Sequence, residues 1–245
     1  MILNYTLGLS IFAGLLIGAY SQAVSHQIRT SRKTASIAIA RLNADSGLEL
    51  GKFFLLNGAT RAVAGTSSET EFDGGQIYVK IENEAGKIDL NTAPLSLVAL
   101  GLDLADLSQS AQQRLITEIT RMRATEQQFT STEQLLRITS TPADFGDIIP
   151  RVFTVHSGNR FVTTKYAHPK LREVLLARQR RFPNWFGDAV SGANTVISAG
   201  YSTDGTVYFQ SALLKPKALL NSGFEIVSIR ELSGVWVTTE DDPRA

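Results

Sequence analysis

The first 28 residues of this chain contain no lysine, arginine, aspartate or glutamate, and the first formal charge is Arg29. Ile2 to Tyr20 is dominated by Ile, Leu, Phe, Ala and Gly. About 20 apolar residues rising ~1.5 Å each cover the ~30 Å hydrocarbon layer of a bilayer, so the stretch has the length of a membrane helix. A removable secretory signal fits less well, because its basic start and compact apolar region are missing. No proline precedes Pro94, and the apolar stretch passes directly into a helical pattern through Arg29, Arg32, Lys33, Ala35, Ile37, Ala38, Ala40, Arg41, Leu42, Ala44 and Leu48. Phe53 to Leu56 close that pattern, and Asn57-Gly58 has the chemistry of a left-handed C-terminal cap. The sequence therefore predicts one helix of roughly fifty residues, about 80 Å long, whose second half lies beyond any bilayer.

Residues 1–28 form the membrane and assembly half of this helix, carried by Ile2, Leu3, Leu7, Leu9, Ile11, Phe12, Gly14, Leu15, Leu16 and Gly18. Residues 29–58 form its soluble half. Two glycine pairs spaced by four, Gly14/Gly18 and Gly47/Gly51, allow another backbone to come close. The first pair suits packing against neighbouring helices, and the second suits packing on the chain's own sheet.

Beyond the helix, Ala64 to Gly75 reads as a polar surface loop. Gln76 to Asn83 alternates Ile77, Val79 and Ile81 with polar residues, the mark of a half-buried strand. Lys87 to Leu90 follows, and Asn91 or Thr92 is placed to cap a helix with Pro94 in its first turn. Short helices are predicted at 95–100, 108–123, 131–138, 142–149 and 169–180, and strands at 152–155, 207–214, 224–230 and 235–239. This order gives an α+β fold, a long helix on an antiparallel sheet with a helical insertion. The sheet domain takes residues 59–93 and 150–245. The insertion takes 94–149, with about 180 as its outer limit.

Composition and motif searches exclude several function classes. The chain has 245 residues, 43% of them hydrophobic and 19% charged, with no cysteine. Disulfides, thiolate-held zinc, iron–sulfur clusters and thiol catalysis are thereby ruled out. No Gly-x-Ser-x-Gly, His-Glu-x-x-His or Gly-x-Gly-x-x-Gly occurs, and Gly47 to Lys52 is one residue short of a phosphate loop. His26, His156 and His168 are far apart. Nothing pairs a nucleophile with a base, so no catalytic residue is assigned. Glu69, Glu71, Asp73, Glu82 and Glu84, or Asp144 with Asp147, offer oxygens compatible with calcium, but no EF-hand order is present. No cofactor or metal site is assigned.

Three stretches together resemble the K-type minor pseudopilins of the type II secretion system. The apolar helix passes into Ala44, Asp45, Ser46, Gly47, Leu48 and Glu49, similar to the family's Ala-Glu-Ala-Gly-Val-Glu signature. Gly86, Lys87, Ile88, Asp89, Leu90, Asn91, Thr92 and Ala93 resemble its Gly-Lys-Ile-Asn-Leu-Asn-Thr-Ala element. The helical block ending in Phe129 to Ile138, followed by Ile148 to Gly158, resembles its inserted domain and the next strand. The resemblance implies a pilin-like fold and a structural role at the tip of a periplasmic pseudopilus. Implied partners are the I- and J-type minor pseudopilins and the other pseudopilins of the fibre, with the inner membrane holding the subunit before assembly. Tyr5 stands where most pilins carry glutamate, as is characteristic of the K type.

Family precursors begin with a short basic leader cut by a prepilin peptidase. Met1 lies about where the mature chain would start, so the resemblance predicts a leader encoded upstream and adds that peptidase to the partners. Charge alone points the other way: applied to Arg29, Arg32 and Lys33, the positive-inside rule would put the body in the cytoplasm rather than the periplasm.

The alternative is a membrane-anchored helix-hairpin-helix protein of the competence type, which Gly86 to Pro94, the short helices and Phe129 to Leu136 also resemble. A DNA receptor neutralises phosphates with Lys and Arg. Between Asp89 and Pro150, however, the chain carries eight acids (Asp89, Asp103, Asp106, Glu118, Glu126, Glu133, Asp144 and Asp147) against Arg114, Arg121, Arg123 and Arg137. The hairpin glycines are missing as well, with only Gly101 and Gly146 in this region. No nucleic-acid partner is therefore expected.

Overall fold

The structure, a computed structural model, describes residues 2–57, 67–72, 75–105, 107–138, 143–188, 191–217 and 223–232. One helix, α1 (Ile2–Leu56), opens the chain. It is followed by β1 (Ser67–Phe72), β2 (Gly75–Asn83) and β3 (Ile88–Asp89), then by α2 (Leu95–Asp103), α3 (Gln109–Ala124), α4 (Gln134–Ile138) and α5 (Ala143–Val152). The remaining elements are β4 (Phe153–Thr154), α6 (Pro169–Arg178), β5 (Asn194–Ser202), β6 (Val207–Pro216) and β7 (Phe224–Leu232). Five strands form one sheet in the order β1-β2-β5-β6-β7, every neighbouring pair antiparallel. Together the long helix, this sheet and the further helices make an α+β fold.

The pleat divides each strand into two faces. Ile77, Val79 and Ile81 of β2, Val196 of β5 and Ala212 and Leu214 of β6 pack with Leu48 and Leu55 of α1. The helix meets the sheet at Ala40, Ala44, Gly47, Leu48, Gly51 and Leu55, spaced by three or four as one helical face requires. The central contact is unusually close. A Cβ on Gly47 would lie 2.0 Å from Ser198 Oγ, one on Gly51 2.4 Å from Val196 Cγ1, and one on Gly200 2.0 Å from the Ala40 carbonyl oxygen. Small residues on both elements let the two backbones touch. Polar latches flank the contact: Asn43 Nδ2 donates to the Tyr201 carbonyl at 2.8 Å, and Gln210 Nε2 to Asp45 Oδ1 at 2.8 Å.

β2 and β5 are sheet neighbours although residues 84–193 lie between them. Those residues build a second core that draws on Ile88, Leu90, Leu97, Leu115, Ile119, Phe129, Leu135, Phe153, Leu171 and Trp185, all buried. That core thus reaches well past position 149. Where the chain leaves and re-enters the sheet, Asn83 pairs with Asn194. Asn83 Nδ2 donates to Asn194 Oδ1 and to the Ser191 carbonyl, both at 2.9 Å. Its Oδ1 accepts from the backbone N–H of Ala85 and of Ser191. One buried amide ties the neck of the insertion shut.

Two sequence expectations are corrected here. Residues 67–72, read within a polar loop, form β1, because the antiparallel register against β2 supplies the backbone partners that their side-chain pattern does not advertise. Residues 194–202, for which no strand was predicted, form the middle strand. Its helix-facing positions are Val196, Ser198 and Gly200, of which only Val196 joins the apolar cluster while Ser198 and Gly200 give the helix clearance. The expected strand at 235–239 and the cap residue Gly58 lie outside the described residues; α1 does end at Leu56, where the Asn57 N–H and Nδ2 both donate to the Phe53 carbonyl.

Two substitutions probe the close contact in opposite directions. Gly200→Val forces a side chain into the Ala40 carbonyl and is expected to destabilise the head by about 2–3 kcal/mol or more, read as a lower urea midpoint. Ser198 Oγ is buried without a hydrogen-bond partner among the described residues, so Ser198→Ala is expected to be neutral or to raise stability by up to ~1 kcal/mol.

Candidate functional site

Two regions carry the residues that the sequence singled out: the free part of α1 and the segment at 86–93.

Among the described residues of α1, Ala40 is the first fully buried one. Before it, large apolar side chains stand in the open, among them Phe12, Leu15, Leu16, Ile17, Tyr20 and Ile28, with Leu15, Ile17 and Tyr20 exposed by 68%, 70% and 74%. A Cβ added at Gly14 or Gly18 meets nothing within 4 Å, so this pair packs on no part of the described chain. The side chains of Ile2, Leu3, Leu7, Leu9 and Ile11 lie outside those described, and among the described residues no helix is long and apolar enough to cross a membrane. What is described is already a stem. An exposed apolar helix of this length is costly in water and calls for lipid or other helices around it.

The stem is fixed where it leaves the head. Ser36 Oγ donates to Asp204 Oδ2 at 2.6 Å, from the turn that joins β5 to β6. Asp204 also accepts from Ser202 Oγ and from the Thr206 N–H. These donors, Ser202 first and Ser36 next, hold its carboxyl well below the usual aspartate range. Arg41 pairs with Glu231 of β7 at 3.3 Å and lies over the Tyr208 ring. Glu49, on the outer side, bonds Lys52 instead.

At residues 86–93 every polar side chain has a structural use. Asp89 is buried, and its Oδ1 accepts from the N–H groups of Asn91 and Thr92 while its Oδ2 accepts from Ser157 Oγ and the Gly158 N–H. Asn91 pairs edge to edge with Phe129: its Nδ2 donates to the carbonyl at 3.0 Å and its Oδ1 accepts from the N–H at 2.8 Å. Thr92 donates to the Asn159 carbonyl. Neither Asn91 nor Thr92 caps α2, contrary to the sequence expectation. The helix starts at Pro94, whose carbonyl accepts from Leu97 and Val98, because the two side chains are drawn to distant backbone. Arg123 of α3 donates to the carbonyls of Leu90 and Ala93, closing the segment from the far side. Ile88, Leu90 and Ala93 are buried in the insertion's core. Gly86 leaves no room for a side chain, its Cβ position being 2.1 Å from the Tyr166 carbonyl oxygen.

Lys87 lies at the boundary between insertion and sheet. It bonds Glu84 at 2.8 Å and Glu82 at 3.4 Å, Glu82 also pairs with Lys80 at 3.3 Å, and Thr195 donates to Glu84 at 2.7 Å. Burial by itself would push Lys87 down, but Glu84 and Glu82 outweigh it and raise its pKa. Burial would push Glu82 up, and Lys87 and Lys80 outweigh that, leaving it below the ordinary value. Glu82 and Glu84 are thus spent on lysines rather than open to a cation. Glu69, Asp73, Asp144 and Asp147 have no described side chains, and among the described residues no group of three His, Asp or Glu could hold a metal ion. His156 and His168, distant in sequence, both line a cleft of about 380 Å³ between the back of the sheet and the insertion. Sequence reasoning did not find this cleft, since its walls come from four strands and from four separate parts of the insertion.

Of the four arginines weighed for DNA binding, Arg123 is turned inward and Arg121 is held by Glu118 at 2.6 Å.

No protein-family model matches this sequence, and no curated protein matches it. Among solved structures, a chain from the crystal structure of the GspK-GspI-GspJ complex of the enterotoxigenic Escherichia coli type 2 secretion system matches with a TM-score of 0.54. The superposition covers 83% of this chain and 99% of that one, at 9% sequence identity. The fold is GspK-like. At 9% identity the likeness is one of fold alone.

The Lys87 cluster makes the head sensitive to acid. Glu82, lowered in the folded state, contributes stability that is complete above its unfolded value of 4.5 and is lost as pH falls through its folded value. Lys87, raised in the folded state, acts in the opposite sense, with its contribution complete below 10.5 and lost above its folded value. The urea midpoint is therefore expected to be flat near neutrality and to fall below about pH 4.5. Lys87→Met takes the cation from buried Glu84 and leaves Glu82 with Lys80, and should cost about 3–5 kcal/mol at pH 7, with part of the loss recovered on acidification.

Proposed function

We propose that this chain is a structural minor pseudopilin of the K type, which begins or caps a type II secretion pseudopilus together with I- and J-type partners. The observation that carries the reading is the stem: an apolar helix with no cover from the described residues, rigidly continuous with a folded head whose architecture is GspK-like. Such a helix can rest in lipid and later be surrounded by sister helices, and the same exposed surface serves both environments. The proposed location is the inner membrane, as a single span with the head in the periplasm, in service of protein export across the outer membrane. The segment at 86–93 then has a structural role, holding the insertion on the sheet.

The helix-hairpin-helix alternative gains nothing from the geometry, because residues 86–93 are locked to backbone from both sides and Arg123 is used internally.

The test is capture of the tagged full chain from detergent after co-expression with I- and J-type pseudopilins. A stable ternary complex is expected, and recovery of this chain alone would sink the reading. Gly14→Leu with Gly18→Leu should weaken incorporation about tenfold, the equivalent of ~1.4 kcal/mol of helix packing, while the head's thermal midpoint stays the same. Digestion of the head by protease added to spheroplasts is expected for a periplasmic location.

A further inference from the structure

We propose that Arg29, Arg32 and Lys33 form a collar that binds the phosphate headgroups of anionic phospholipids at the membrane surface beneath the head. The inference rests on the membrane residence proposed above and adds the lipid class. The three cations are spaced i, i+3 and i+4, which puts them on one face of α1. Continued at the same spacing, that face runs through Ser36, Ala40, Ala44 and Gly47 into the sheet contact. The collar therefore faces the gap between membrane and head, directly below the β5–β6 turn.

All three side chains are exposed, and none is ion-paired with a described residue. The nearest acid along the face is Asp204, whose oxygens are already taken by Ser36, Ser202 and Thr206. Arg41, the next cation, is committed to Glu231 and Tyr208. No aspartate or glutamate occurs before Asp45. With four cations in residues 1–44 and a whole-chain charge of +1, residues 45–245 carry −3. Charge is thus segregated: the stem's base is positive and the head negative. Beside an anionic surface this draws the collar down and turns the head away.

Depth agrees. Tyr20 ends the apolar run and has the amphipathic ring that settles at an interface. Arg29 is nine residues further on, about 13 Å along the helix. Headgroup layer, side-chain reach and one Debye length together span that distance, so the cations lie within the range over which lipid charge is felt.

The chain has no cysteine, so Ser31→Cys, on the side of the helix away from the collar, accepts one environment-sensitive fluorophore. Labelled full chain in neutral detergent micelles is titrated with phosphatidylglycerol or with phosphatidylcholine. Half-saturation by phosphatidylglycerol is expected at a concentration at least about tenfold lower. The difference should collapse at about 0.5 M salt and in R29Q/R32Q/K33Q, and persist in R29K/R32K. Equal half-saturation by both lipids, or a preference that survives the triple substitution, would overturn the collar. An equal signal from inorganic phosphate at the same concentration would assign a free-anion site instead. If the triple variant loses capture of I- and J-type partners while keeping its lipid preference, the cations serve a protein surface and the proposal fails. Failure of the membrane reading itself is distinct: no response to either lipid, with the chain partitioning into the aqueous phase on detergent phase separation.

Discussion

At Gly200 the backbones of α1 and β5 approach until no side chain fits between them, at Gly47 and Gly51 the helix leaves room only for Ser198 and Val196 of the strand, and the remainder of the molecule is arranged around that contact. Close approach fixes the helix against the sheet by dispersion over a wide area, and a helix so fixed cannot swing or slide without forcing Cα atoms together. The apolar cluster around Leu48, Leu55, Ile77, Val196 and Leu214 then seals one end of the contact, while the Ser36–Asp204 and Arg41–Glu231 pairs hold the other. Because α1 is one unbroken helix, the rigidity of its buried part extends to the exposed part. The direction of the stem is set by the head.

On the other side of the sheet the problem is different: a long excursion must leave a strand and return to its neighbour without weakening their pairing. Asn83 solves it at the neck by satisfying four backbone and side-chain groups at once. Residues 86–93 solve it one step further in, where Asp89, Asn91 and Arg123 bind the chain to backbone atoms from three parts of the insertion. The insertion keeps its own core, so its folding and that of the sheet meet through polar bonds and the Lys87 cluster rather than through shared apolar packing. Buried polar networks of this kind are costly when broken and fix one arrangement when complete.

The proposed function rests on the contrast between the two ends. In the head, the polar residues at the neck of the insertion and at 86–93 are bonded within the head itself. The stem is the opposite, an apolar surface with open glycines and, at its base, cations that no described residue pairs. In the role proposed above, a bilayer or a bundle of sister helices would supply the contacts that the stem lacks.

The stem, its length and its termination near Asn57 were legible in the sequence, because they depend on local quantities: absence of charge, absence of proline, and helical spacing. The strand at Gln76 to Asn83 and the helices of the insertion were legible for the same reason. The middle strand was not. Val196, Ser198 and Gly200 look unremarkable until the helix lies on them, since their smallness answers to a backbone more than a hundred residues away. The segment at 86–93 stood out by its resemblance to a family element, yet its residue-by-residue purpose could not be read there, for Asn91 resembles a helix cap until Phe129 is placed beside it. The sequence by itself determined that an apolar rod would precede a mixed head. Tertiary structure alone decided which face of the rod is covered, where the cover stops and which polar groups close the insertion, because clearance and long-range hydrogen bonds exist only between segments that folding has brought together.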